Sequence, residues 1–458
     1  MEKGIRLKKS RFNYSMRDEK GDIVLCNFAK GMSSFCKIDS SNIIAYNMLM
    51  NSEEIYYDQN KEHIVKLVEK GLLVPANLDE METVNRLYYN SAMDSKMRII
   101  IMPTEQCNFR CKYCYETYQK GKMSQEDQLA LLKFIQRQLN ISTKLQISWF
   151  GGEPLEAKEI VFHLMTIVNQ MCKKKNIEVV SDMTTNAYNL DADTFDNLYR
   201  LNIRTFQITL DGLKGQHDKQ RVLENGEGTF EKIVNNLRYI KNNYEKFKFA
   251  SISIRVNISR EILNNLRDFI EFYRMNFGND RRFSLALTPI NDMGGDAVKE
   301  IKGQFVDTSE VYRAINELNL YADTSIQISN IYRAFSPAEA LCYASRKNTY
   351  VVGSDLSLYK CTVHFDMPEN NIGQILPNGE AQIDEFRNQK WYVNYQYKDM
   401  CKACFLLPCC FGGGCPHKRN FFVGTKNKCV LPTWKQELKN AIKYISVRSH
   451  IETINISD

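Results

Sequence analysis

From residue 97 onward the chain alternates strand-like and helix-like segments, and this regularity limits its fold more than any other feature. Apolar runs suited to strands fall at 97–103, 145–150, 178–183, 205–210, 251–256 and 283–287. Between them, 125–139, 158–172, 192–201, 228–243 and 261–277 carry helical periodicity. Strand and helix in alternation imply a parallel sheet with right-handed crossovers. A doubly wound sheet and a partial barrel both satisfy the pattern. Both place ligands just beyond the strand ends, where the polar motifs of this chain fall.

The flanks differ. Residues 1–95 read as a small α+β module. Segments 11–16 and 23–28 flank a turn at 18–21, a third short strand lies near 34–38, and helices are expected at 41–50, 62–70 and 78–92. Residues 96–335 hold the alternation, and 336–435 dissolve into short strands, turns and cysteines. Residues 436–458 read as a helical tail with a frayed end. A total of 458 residues suits about three domains at roughly 150 residues each.

Lys and Arg exceed Asp and Glu by seven, which fits an acidic partner such as a peptide but is too mild for a nucleic-acid footprint. The basic N-terminus lacks the apolar core of a signal peptide, and no run approaches 18 apolar residues. A cytoplasmic protein with neither nucleic-acid nor membrane partners is expected.

Fourteen cysteines in such a chain should be reduced thiols rather than a disulfide framework. They cluster, three at 107–114 and six at 401–429. Cys107, Cys111 and Cys114 follow the first strand at a spacing that can wrap one face of a 4Fe–4S cluster and leave one iron open. Zinc is the alternative, but it closes with four ligands, and no nearby Cys or His supplies the fourth. Gly151-Gly152-Glu153-Pro154 follows the second strand; its glycines allow close backbone approach, and Glu153 offers an acceptor for an ammonium. Thr184-Thr185-Asn186 closes the third strand and Leu210-Asp211-Gly212 the fourth, with His217, Asp218 and Arg221 behind it. Asn257 ends the fifth.

The C-x3-C-x2-C loop after a first strand resembles the hallmark of the radical S-adenosylmethionine (SAM) superfamily, a likeness that runs from Met97 to about Asn291. It implies a partial (β/α)6 TIM-like barrel. Its open iron would chelate SAM, whose reductive cleavage gives a 5′-deoxyadenosyl radical. By the same likeness Tyr113 would lie against the adenine, Gly151, Gly152 and Glu153 would hold the methionyl amino group, and Asn186 and Arg221 would contact SAM. Asp211 is the one candidate catalytic residue, and the base is otherwise unassigned.

Cys401-x2-Cys404-x5-Cys410-x4-Cys415, then Cys429, preceded by Cys342 and Cys361, resembles the SPASM extension of radical SAM enzymes that act on peptides and proteins. Carried over in order, Cys401, Cys404, Cys410 and Cys429 would bind a distal auxiliary 4Fe–4S cluster. Cys342, Cys361 and Cys415 would bind a nearer one, whose fourth site is open or capped by Cys409. The gap after Cys410 is one residue longer than the usual pattern, and Cys409 is adjacent to Cys410, so the distal assignment could slide to Cys409.

Three clusters, SAM and a reducing partner such as flavodoxin or ferredoxin follow from this likeness. So does a maturase that modifies, by cross-linking, side chains of a ribosomally made precursor peptide. The N-terminal pattern resembles small winged domains that capture leader peptides by strand addition. An anaerobic sulfatase maturase forming formylglycine is one alternative. Those enzymes carry an aspartate after the second SPASM cysteine, where this chain has Thr362. A non-catalytic iron–sulfur scaffold is the other.

Overall fold

The computed structural model describes every residue except 117, 293–296, 321, 322, 324, 329–334, 338–340, 394–396, 422–428, 430–437, 440, 444, 447–450, 457 and 458. Two compact units divide the chain. One comprises Met1–Asp94, Asn330–Lys347 and Lys390–Asp458; the other comprises Ser95–Ser329 and Asn348–Gln389.

The second unit holds the alternation. Its elements are β1 (Met97–Ile101), α1 (Gln125–Gln138), β2 (Lys144–Trp149), α2 (Lys158–Lys175), β3 (Glu178–Thr185), α3 (Ala192–Arg200), β4 (Ile203–Thr209), α4 (Phe230–Asn242), β5 (Ser251–Ile258), α5 (Arg260–Asn264), α6 (Leu266–Tyr273), β6 (Phe283–Pro289), β7 (Ile326–Ile328) and β8 (Thr349–Val352). The six expected strands lie side by side in chain order, all parallel. The sheet continues past them, with β7 parallel on β6 and β8 parallel on β1. Ser357–Tyr359, Asn371–Ile375 and Ala381–Ile383 then extend it as an antiparallel meander. Ile99, Ile147, Phe206, Ile254 and Leu285, from five of the six strands, are wholly buried. Each such side chain contributes about 1.5–3 kcal/mol of transfer free energy.

Local chemistry starts and stops the helices. The Ser124 hydroxyl accepts from the Asp127 N–H at 3.1 Å, and the Asp191 carboxylate accepts from the Thr194 N–H at 2.9 Å, capping α1 and α3. The single helix expected at 261–277 is broken into α5 and α6 at Asn265. Its side-chain amide donates to the Glu261 carbonyl at 2.9 Å, in competition with the backbone ladder.

The first unit contains two sheets. Arg6–Lys9 pairs antiparallel with Ile55–Tyr56 and with Leu73–Pro75. Asn13–Arg17, Ile23–Asn27 and Cys36–Ile38 form the expected meander, followed by helices Ile43–Met50, Glu62–Glu69 and Glu80–Ala92. A buried knot ties strands to the last helix: the Ser10 hydroxyl donates to Glu80 Oε1 at 2.5 Å and accepts from Asn27 Nδ2 at 2.9 Å.

The units do not follow the sequence boundaries at 336 and 435. Residues 348–389 join the barrel unit because β8 hydrogen-bonds to the edge of β1, while 330–347 and 390–458 cluster with the N-terminal module. Residues 435–437, 440, 444 and 447–450 of the expected tail helix lie outside the described residues. Beyond them, Glu452–Thr453 is a strand rather than a frayed end, parallel to Cys36–Ile38. Among the described residues no helix is long and apolar enough to cross a membrane.

Candidate active site

The segment after β1 carries the three cysteines, and a short ribbon fixes it. Phe109–Cys111 pairs antiparallel with Arg221–Leu223, with Cys111 directly opposite Arg221. This pairing joins motifs more than a hundred residues apart. A cavity of about 160 Å³ opens there, lined by Cys107, Cys111, Cys114, Tyr113, Glu116, Gly151–Glu153, Thr184–Asn186, Thr209 and Arg221. Every residue expected at the SAM site therefore faces one cavity at the ends of β1–β4.

The two glycines serve the cysteine loop directly. Gly151 adopts φ +118°, and a Cβ there would sit 2.3 Å from the Thr104 carbonyl oxygen. At Gly152 it would meet the Gln106 and Glu105 carbonyl oxygens at 2.4 and 2.5 Å. Only glycine lets the β2 turn approach the backbone that leads into Cys107. Glu153 is buried, and its carboxylate accepts from Thr185 Oγ1 at 2.6 Å, Leu155 N–H at 3.0 Å and Asn186 N–H at 2.7 Å. Burial pushes its carboxyl up to about 7, against the opposing pull of those donors. A carboxylate has about four lone-pair sites. Glu153 thus brackets the β2 and β3 turns and keeps about one site for a ligand. Asn186 Nδ2 donates to Asn108 Oδ1 at 2.8 Å and approaches Cys107 Sγ at 3.9 Å.

Tyr113, Asp211, Arg221 and Asn257 form one buried node. The Tyr113 hydroxyl donates to Asp211 and accepts from Arg221 Nη1 at 2.6 Å and Asn257 Nδ2 at 3.0 Å. The Asn257 N–H donates to the other Asp211 oxygen at 2.7 Å. Asp211 therefore positions Tyr113, and neither of its oxygens lacks a donor. The guanidinium of Arg221 lies over Phe109, 5.4 Å from the ring centroid.

His217 supports the node from behind. The Asp211 N–H donates to His217 Nδ1 at 3.1 Å, so that nitrogen is bare and Nε2 carries the proton. Nε2 donates to Thr229 Oγ1 at 3.0 Å, and that hydroxyl donates to the Arg221 carbonyl at 2.7 Å. Burial, reinforced by the Arg221 charge, holds the imidazole down to about 3. The unfolded chain binds a proton below about pH 6.5 that the folded chain refuses, so stability is lost as pH falls through that window. His217→Gln keeps a donor and an acceptor but does not titrate. Between about pH 7 and pH 5 the unaltered protein should lose up to about 1.4 kcal/mol per pH unit more than His217→Gln, read by denaturant unfolding. Parallel pH profiles would show that His217 is not held neutral.

The donor set fits the cofactors expected from the sequence. Three thiols share the cavity; Cys107 lies within charge range of Cys111 and Cys114, and those two lie within range of Arg221. Arg221 Nε and Glu116 Oε1 are buried without partners, leaving a donor and an acceptor for a bound group. Glu116 was not foreseen, since a carboxylate two residues after a cysteine carries no pattern of its own. Tyr118 was also missed; it hydrogen-bonds Cys114 from a left-handed backbone, φ 55°.

In the other compact unit, Cys410 lies within charge-interaction range of Cys401, Cys404 and Cys429, and Cys401 within range of Cys404 and Cys429. Cys409 points away from them. It is buried, its thiol donates to the Phe28 carbonyl at 3.2 Å, and its nearest sulfur neighbours include Cys26. Cys342 and Cys415 belong to this unit and Cys361 to the barrel unit. Among the described residues no three His, Cys, Asp or Glu side chains converge on a single-ion point.

Residues 101–272 match the family model described as the Radical SAM superfamily. These residues form a radical SAM domain. Its cofactors are those of that family, iron–sulfur clusters and SAM. A cysteine-type anaerobic sulfatase-maturating enzyme of Clostridium novyi is 22% identical, over 77% of this chain and 97% of the relative. A radical SAM cyclopropyl synthase, TigE, of Paramaledivibacter caminithermalis is 21% identical over 52% of this chain and 56% of its own. Among solved structures, native anSMEcpe with bound AdoMet and Cp18Cys peptide superposes with a TM-score of 0.58 at 17% identity, covering 77% of this chain and 97% of that one. SuiB of Streptococcus suis bound to precursor peptide SuiA gives a TM-score of 0.50 at 14% identity, covering 89% of this chain and 95% of that one. These likenesses extend the fold beyond the matched domain. With relatives that are enzymes, the non-catalytic scaffold is set aside.

Proposed function

We propose that this radical SAM enzyme is a maturase of a ribosomally made precursor peptide, cross-linking its side chains. The observation that carries the reading is the reach of the likeness to SuiB. The first 95 residues are about a fifth of the chain, so a match covering 89% must include part of them, whereas one covering 77% need not. SuiB is bound to a precursor peptide. The N-terminal module of this chain has the strands and helices expected of a leader-binding unit.

In this reading Cys107, Cys111 and Cys114 would hold the catalytic 4Fe–4S cluster, and Tyr113, Gly151, Gly152, Glu153, Asn186 and Arg221 would hold SAM. Cluster and SAM together supply the one-electron chemistry that removes a substrate hydrogen. The protein's own part is placement. Arg221 offers its unpartnered Nε–H to a carboxylate, a match suited to a guanidinium, and Glu153 offers its remaining lone pair to an ammonium. Cys401, Cys404, Cys410 and Cys429 would take the distal auxiliary cluster, and Cys342, Cys361 and Cys415 the nearer one. A flavodoxin or ferredoxin would deliver the electron.

The sulfatase-maturase reading draws on the Clostridium novyi relative, nearly all of whose length is matched. Against it, Thr362 stands beside Cys361 where an aspartate is expected. Mass spectrometry decides between them. Co-expression with a short precursor encoded beside the enzyme should remove two hydrogens per cross-link from that peptide. Conversion of a sulfatase peptide to formylglycine, with the precursor untouched, would establish the other function.

A further inference from the structure

In the N-terminal module the sheet edge suited to strand addition is already occupied by the chain itself. Cys36–Ile38 pairs on its inner side with Ile23–Asn27. On its outer side lies Glu452–Thr453, in parallel register with Glu452 opposite Cys36 and Thr453 opposite Lys37. The Ile454 N–H donates to the Lys37 carbonyl at 2.8 Å. Ile454 and Ile456 are buried in the module's core beside Ile38, Ile43 and Leu67, while Thr453 and Asn455 face solvent. The Glu452 carboxylate sits 3.2 Å from Lys66 Nζ and 3.4 Å from Lys70 Nζ. At the opposite edge of the sheet, Tyr14 of Asn13–Arg17 packs on Phe405, with ring centroids 5.2 Å apart.

We propose that residues 451–456 are a built-in competitor for the leader edge. The leader that displaces them carries the same recognition pattern, an acidic residue followed two and four places later by aliphatic residues. The inference rests on the reading of the substrate as a precursor peptide. Its physical basis is the shortness of the ladder. Two registered pairs hold little as a free peptide, yet a tethered segment acts at an effective concentration typically in the millimolar range. The segment shields an otherwise unpaired edge until a partner arrives. A leader making the same two aliphatic insertions and one Lys66/Lys70 contact, plus a longer ladder, outcompetes it. The protein's apparent affinity for leader is then its intrinsic affinity scaled by the fraction of edge left open.

The probe is a dye-labelled peptide, Ac-IETINI-NH2, titrated by fluorescence anisotropy into the full-length, cluster-loaded protein. Glu452→Lys weakens the built-in strand while leaving both buried isoleucines, so it gives an answer even where Ile454→Ser/Ile456→Ser fails to fold. Glu452→Lys should bind the probe severalfold tighter than the unaltered protein, and the double serine variant about tenfold tighter. Lys66→Glu/Lys70→Glu should reverse the preference, favouring Ac-IKTINI-NH2. Equal affinity in all proteins, or binding in none, overturns the competitor. A precursor that is modified while the probe ignores Glu452→Lys also overturns it and leaves the maturase reading standing. Tightening of the probe without modification of any precursor supports the competitor and removes the maturase reading instead.

Discussion

Replacing Cys107, Cys111 and Cys114 together by alanine abolishes formation of 5′-deoxyadenosine from SAM, while bound iron falls by only about four per chain. The three thiols line a single cavity with Arg221 and Glu153, and among the described residues that line it there is no fourth cysteine. The set at Cys401, Cys404, Cys410 and Cys429 belongs to the other compact unit, so its iron should survive the substitution. None of the three cysteines is a buried core residue, so the fold should survive as well. Iron analysis with and without the substitutions, together with chromatographic assay of 5′-deoxyadenosine after chemical reduction, checks both halves. Persistent 5′-deoxyadenosine would remove the cavity from the chemistry. Loss of all iron would mean that the second cysteine set does not bind a cluster independently.

Much of this site was legible in the sequence because short-range signals created it. Six apolar runs separated by amphipathic helices fixed the parallel strands, and the motifs fell at their ends, where a parallel sheet gathers them. Pairwise long-range contacts carried no such signal. Nothing local announced that Arg221 would be paired across a ribbon with Cys111. Nor could spacing show that Gly151 and Gly152 yield to loop carbonyls, or that Glu153 would spend three hydrogen bonds on its neighbours. Cys409 and Cys410 are adjacent in sequence. Burial against Phe28 turns the first into the module's interior and leaves the second with the other thiols. The alternation of residues 451–456 was present but too short to separate from the end of a helix. Its pairing with Cys36–Ile38 spans more than four hundred residues.

Arg221→Met should destabilise the protein by about 3–5 kcal/mol, most of it from the charge left behind rather than from the hydrogen bond removed. Asp211 is completely buried, and of the two arginine charges that favour its carboxylate, Arg221 and Arg255, Arg221 acts more strongly. Burial pushes the Asp211 carboxyl up, and the guanidinium pulls it down. Without Arg221 the upward push is opposed by the weaker Arg255 charge and by the donors from Tyr113 and the Asn257 N–H. The sign of the pH dependence follows. A carboxyl whose folded value is raised holds a proton that the unfolded chain has released, so stability falls as pH rises through the interval between the two values. The deficit of Arg221→Met should therefore shrink on acidification, and Asp211→Asn in the same chain should recover most of it at neutral pH. Denaturant unfolding of the single and double variants at two pH values measures both effects. A deficit below about 1 kcal/mol would mean that Asp211 does not depend on the Arg221 charge. A large deficit that ignores both pH and Asp211→Asn would instead assign the loss to packing of the guanidinium over Phe109.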